Sequence, residues 1–154
     1  VAQESNPDPH AWTTGISSKE KDAWAGIAFE RVCLLHVPEL KNALGIGGVK
    51  TSVCSWLHRA DEVYAKGAQI DLLIDRADQV VTVCEMKYAS GQYLLTKAES
   101  ERIDNKIQAF KTVSGTAKSV YLALVTTKGL VNNEYARKAQ NVIFLDQLFA
   151  ERSL

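Results

Sequence analysis

Residues 67–88 read GAQIDLLIDRADQVVTVCEMKY, and this stretch decides the fold. Two apolar, β-branched runs, Ala68–Ile74 and Val80–Tyr88, flank the polar residues Asp75–Gln79. Such runs around a short polar break predict a β-hairpin. Each run carries an acid in its interior, Asp71 and Glu85, where strands are normally poor in acids. Strand side chains alternate between faces, so Gln69 shares a face with Asp71, and Glu85 with Lys87. One register sets Asp71 against Glu85, hence Gln69 against Lys87 and Arg76 against Val80. It leaves Ala77–Gln79 as a three-residue loop, a common hairpin length. All four polar groups then meet on one patch, with opposed Cβ atoms about 4.5–5.5 Å apart.

Two carboxylates that close repel each other unless a cation or a proton lies between them. Mg²⁺ or Mn²⁺ suits the place, because hard cations prefer carboxylate, carbonyl and water oxygens. Such an ion can polarise a phosphate oxygen and lower the pKa of a bound water. Lys87 can stabilise charge developing on phosphorus-bound oxygens, and Gln69 offers a donor and an acceptor to the same water. The alternative is a structural ion cluster, or acids that point to solvent. The continuous apolar flanks, Ile70, Leu72 and Leu73 on one side and Val83 and Cys84 on the other, make the strands look central and favour the chemical reading. Glu30 sits within an apolar helical stretch, as an outward surface charge or as a further acid aimed at the site.

Working outward, Ser17 and Glu20 fit a capping box that opens a first helix. Trp24, Ile27, Ala28, Arg31, Val32 and Leu35 follow at helical spacing, with Phe29 and Leu34 widening the apolar face. Pro38 closes that helix, with an extra turn through Leu44. Gly48–Leu57 reads as a first strand and His58–Lys66 as a loop. Thr96 and Glu99 form a second capping box, opening a helix with Ile103, Ile107 and Phe110 on one stripe and ending near Gly115. Ser119–Thr126 is apolar enough to be a strand buried on both faces. A short helix over Asn132–Ala139, a strand over Val142–Leu145 and a last turn capped by Asp146 complete the chain. The order predicts an α/β fold with a mixed sheet and helices on both faces. Residues 1–16, with two of the three prolines, read as a tail, and residues 17–154 as one domain.

The chain has 154 residues, 46% of them hydrophobic, with 18 basic and 18 acidic side chains. A domain of this size buries enough surface for a real core. Zero net charge argues against a strong non-specific nucleic-acid binder but leaves room for a local basic face. No apolar run is long enough to span a bilayer, which predicts no membrane partner. Cys33, Cys54 and Cys84 lack metal-ligand or disulfide spacing and are expected to be buried thiols in a reducing, cytoplasmic setting. His10, His36 and His58 are scattered and read as surface or capping residues. Arg102 and Lys106, four apart on the helix after the hairpin, share a face and could meet phosphates.

Asp71, then Glu85-x-Lys87 on the next strand, after a glutamate-bearing helix, resembles the PD-(D/E)XK nuclease superfamily and its restriction-endonuclease-like αβββαβ core. A longer likeness runs through DPHAW (8–12), AWAGIAFERVCLLHVP (23–38), GAQIDLLIDRADQVVTVCEMKYA (67–89) and LVTTKGLVNNEY (124–135). These stretches resemble the C-terminal domain of prokaryotic AAA-type, archaeal-ATPase-like proteins, in which a P-loop ATPase and a winged helix come first. The resemblance implies a domain of a longer protein whose ATPase region is its partner, with DNA as substrate; it admits a homodimer. It implies that Asp71, Glu85 and the Met86 carbonyl bind the metal, that Lys87 is the catalytic lysine, and that Glu30 is the first-helix glutamate. Gln69 takes a position that often holds a polar residue near the site. Ile70 stands where the superfamily name has proline. The implied activity is metal-dependent hydrolysis of phosphodiester bonds in DNA. The competing expectation is a catalytically silent module that keeps the fold for nucleic-acid or protein binding.

Overall fold

The computed structural model describes residues 17–150. The tail read over residues 1–16, with His10 and Trp12, lies outside them. Helix α1 (Ser18–Leu35) opens on Ser17, whose hydroxyl accepts from the Glu20 amide at 3.2 Å while the Glu20 carboxylate accepts from the Ser17 amide at 2.9 Å. Helix α2 (Val37–Ala43) follows, with Pro38 in its first turn, where a missing N–H costs nothing. Strands β1 (Thr51–His58), β2 (Ala68–Arg76) and β3 (Val80–Lys87) form an antiparallel meander. Helix α3 (Lys97–Ser114) crosses over to β4 (Ser119–Thr126), which lies parallel to β3. It starts on the Thr96 capping box and stops at Gly115, whose φ of 62° a side chain would resist. Strand β5 (Asn141–Phe144) adds parallel to β4, and a last turn, α4 (Leu145–Leu148), ends the described chain. The sheet order is β1-β2-β3-β4-β5.

The fold is α/β, with a mixed five-stranded sheet and helices on both faces. One face packs Leu72, Ile74, Cys84, Ala123 and Val125 against Phe29 and Cys33 of α1 and Leu40 of α2. The other packs Leu73, Val81, Val83, Leu122 and Leu124 against Ile103 and Phe110 of α3. Among the described residues, no helix is long and apolar enough to cross a membrane.

Five local expectations need correction. The α1 stripe does not face the sheet: Trp24 is 66% and Leu35 79% exposed, and the helix docks through Phe29 and Cys33 instead. The helix is apolar on more than one side, so periodicity alone cannot choose the docking face. Asn132–Ala139 yields only a single 3₁₀ turn, Ala136–Lys138, and α4 starts at Leu145, with the Gln147 amide oxygen capping the Phe144 N–H in place of Asp146. Cys54 is exposed, because β1 is an edge strand with little above it, and His58 is buried, with Nε2 3.0 Å from the Tyr64 carbonyl oxygen. Cys33 and Cys84 are buried as expected, and burial pushes each thiol up to about 12. Iodoacetamide at neutral pH is therefore expected to alkylate Cys54 alone in the native protein and all three thiols after denaturation, as read by mass spectrometry.

Candidate active site

The hairpin carries the site. Backbone pairing of β2 with β3 runs from Asp75↔Val81 to Leu72↔Cys84, in the register expected from the sequence. The turn residues are Ala77–Gln79, and Gln79 takes the left-handed conformation (φ 66°) that closes a three-residue loop. The ladder stops one residue before Asp71 and Glu85, so they are not a backbone-paired couple, and neither are Gln69 and Lys87. The β1–β2 register accounts for this. Cys54 pairs with Leu73 and Trp56 with Ile70, so Ser55 alone faces both Asp71 and Leu72. This is a β-bulge in β2 at the acid itself, and bulges re-aim side chains where they occur. Ile70 and Leu73 consequently belong to the same core cluster, which strict alternation would forbid.

Glu85 follows Val81 and Val83 onto the α3 side of the sheet and is 7% exposed. Its carboxylate meets the Lys87 ammonium at 3.1 Å, and the Lys106 ammonium of α3 donates to both of its oxygens at 3.1 Å. A buried carboxylate needs such partners, since unpaired burial of its charge is costly. Lys106 was visible in the sequence only as one of two basic residues on a helix face. Its pairing with Glu85 depends on how α3 docks.

Asp71 is half-buried and accepts from the Gln69 side-chain amide at 2.9 Å. That bond holds the Gln69 side chain beside Asp71. Glu30 projects from α1 into the same region. Burial raises its pKa above the ordinary carboxylate value, and repulsion from Asp71 and then Glu85 adds to this, with Lys106 and Lys87 opposing. The three acids therefore share one electrostatic neighbourhood. The Met86 side chain is partly buried against the opposite core face.

An open cleft of about 820 Å³ is lined by Glu30, Gln69, Asp71, Lys66, Arg102 and Lys106, among others. The loop that carries Lys66 is tied to α3, because the Tyr64 hydroxyl donates to Asn105 at 2.8 Å and Asn105 donates to the Gly67 carbonyl at 3.4 Å. On the other side of Glu30, Lys87 and Tyr93 line a second cleft. The Tyr93 hydroxyl donates to Glu99, and burial together with that bond raises the Tyr93 pKa. Burial pulls Glu99 upward, but the bonds from Tyr93 and Thr96 and the Lys87 charge hold it below its ordinary value.

No family model and no curated protein matches the chain. Among solved structures, the crystal structure of AF1548, a protein of unknown function, is similar over 73% of this chain and 61% of that one, at 14% identity and a TM-score of 0.47. The chain thus spans about three-fifths of that protein's length.

Among the described residues, no group of three His, Cys, Asp or Glu side chains stands together as a ready metal cage. The donors do fit a hard divalent cation in kind: carboxylates, an amide oxygen and a backbone carbonyl. Lysine on Glu85 supplies the positive charge that a cation would bring, and would have to yield to it. The Glu30 shift gives a test. A carboxyl with a raised folded-state pKa holds its proton more tightly in the native state, so stability falls as pH rises from the ordinary carboxylate value through the raised one. Glu30→Gln removes that loss. It is expected to raise the thermal midpoint at pH 7 without metal, to flatten the acid-side pH dependence, and to weaken Mn²⁺ binding about tenfold. A variant with native Mn²⁺ affinity would make Glu30 a surface charge.

Proposed function

We propose that this domain hydrolyses phosphodiester bonds in DNA with Mg²⁺ or Mn²⁺, in the manner of the PD-(D/E)XK superfamily. The observation that carries the reading is the cleft that Glu30, Asp71 and Lys106 line together, with Lys106 and Lys87 both on the Glu85 carboxylate. Asp71, Glu85 and the Met86 carbonyl would hold the ion, with Glu30 beside them. Bound there, it would polarise a phosphate oxygen and acidify a water. The Lys87 ammonium offsets charge developing on the phosphate oxygens. Gln69, anchored by its N–H on Asp71, keeps its amide oxygen to accept a bond from the attacking water. Lys66 and Arg102, which make no ion pair among the described residues, neutralise phosphates on either side of the scissile one.

With zero net charge, the isolated domain grips DNA weakly, and the ATPase and winged-helix region implied by the resemblance supplies the rest of the grip. The competing reading, a silent module that binds nucleic acid or protein, is favoured by one observation: both Glu85 oxygens are already bonded by ammonium groups. Calorimetry with Mn²⁺ on the native domain and on Asp71→Ala, beside plasmid nicking at low salt, separates the two. Metal binding lost in Asp71→Ala together with Mn²⁺-dependent nicking is the expected result. Metal bound without nicking of any DNA would favour the silent module.

A further inference from the structure

The cleft at the site does not end there. Glu30 lines both the large cleft and the second one, which also takes in Lys87, Tyr88 and Ser90. Tyr88, Ala89 and Ser90 in turn line a third cleft of about 560 Å³, walled by Thr127, Lys128 and Phe144. The first and second clefts adjoin at Glu30 and the second and third at Tyr88, Ala89 and Ser90, so the three follow one another as a trough. Its far arm lies at the carboxyl ends of the parallel strands β3, β4 and β5, where open α/β sheets commonly bind ligands.

The far arm is built to hold its shape. The Thr127 hydroxyl donates to the Ala89 carbonyl and accepts from the Ala89 N–H, which ties the segment after β3 to the segment after β4. Gly129, at φ 93°, donates its N–H to the Thr126 hydroxyl at 2.9 Å. A Cβ on Gly129 would come within 3.2 Å of the Phe144 ring, so the ring rests against bare backbone. Phe144 nonetheless stays 44% exposed. Lys128 makes no ion pair among the described residues, although Asp146 sits on the same rim.

The trough therefore presents, in order, unpaired cations (Lys66, Arg102), the acid and lysine cluster, and then a fixed aromatic ring beside a further cation. That sequence matches a polyanionic strand carrying planar rings. A duplex keeps its base faces stacked inside and cannot use Phe144, whereas a single strand can lay a base on it. From the trough we infer that it tracks a single DNA strand, with one base stacked on Phe144 and its phosphate near Lys128. The inference rests on the phosphodiesterase reading for the direction of the strand through the site, and names the form of substrate which that site takes.

The experiment is fluorescence anisotropy at low salt, in EDTA so that nothing is cut, with a labelled oligo-dT and a hairpin duplex of equal length. The native domain is expected to bind oligo-dT about tenfold more tightly than the duplex. Phe144→Leu should weaken oligo-dT about tenfold and erase the preference, Phe144→Tyr should restore it, and Lys128→Glu should weaken oligo-dT as well. Lys50→Ala removes one positive charge beside the hairpin turn, at the other end of the sheet, and should leave binding unchanged. Circular dichroism confirms that each variant is folded. Equal affinity for the two DNAs, or an oligo-dT affinity insensitive to both Phe144→Leu and Lys128→Glu, overturns the inference. Cleavage of plasmid by a domain that behaves so would leave the phosphodiesterase reading standing. A Phe144-dependent single-strand preference in a domain that never cleaves would do the reverse, and keep the trough as a strand-binding surface.

Discussion

Lys87→Ala is expected to lower Mn²⁺-dependent DNA cleavage about 100- to 1,000-fold, the usual loss when one preorganised group that stabilises transition-state charge is removed. The Lys87 ammonium lies 3.1 Å from Glu85 and is only partly exposed, so it is held at the site by a fixed partner. An ammonium is not a metal ligand, and Lys106 stays on Glu85 in the variant. The fold and the affinity for Mn²⁺ should therefore survive. Plasmid nicking by native and variant protein, with Mn²⁺ titrated calorimetrically into each, measures both quantities. Nicking at the native rate in Lys87→Ala would place the lysine outside the chemistry, or the activity outside this protein.

Leu124→Ala carries the largest expected loss of stability, about 3–4 kcal/mol. Leu124 is fully buried on β4, beside Glu85 in the parallel register, in the cluster shared with Ile103 and Phe110 of α3. Truncation leaves a cavity between a central strand and the helix that brings Lys106 to the site, and neither side can move freely to fill it. Native domains rest on about 5–15 kcal/mol in all, so the loss is a large share. Urea unfolding followed by circular dichroism would show it as a lower midpoint at unchanged slope. A loss below about 1 kcal/mol would mean that α3 closes onto the sheet again.

Both results bear on how far short-range pattern reaches in this chain. The capping boxes at Ser17 and Thr96, the stop at Gly115 and the register of the hairpin are each set by residues a few positions apart, and each stands in the structure as the sequence implies. Glu85 and Lys87, two apart on one strand, likewise share a face and an ion pair. The two-sided burial expected of β4 holds over residues 122–126, whereas Ser119 and Tyr121 at its start are exposed.

The sequence by itself thus determined the starts of α1 and α3, the stop of α3, the order of the strands and the identity of the acids on the hairpin, since all depend on local propensity, capping and alternation. Tertiary structure alone decided the rest. It chose the Phe29–Cys33 side of α1 over the Trp24–Leu35 side, and left Cys54 open on an edge strand. It placed the bulge at Asp71–Leu72, which ends the β2–β3 ladder before the two acids meet, and it brought Lys106 to Glu85 across 21 residues. These outcomes turn on how separate elements pack and on where a buried charge finds its counter-charge. No window of neighbouring residues contains that information, because the partners become neighbours only when the sheet and its helices have closed.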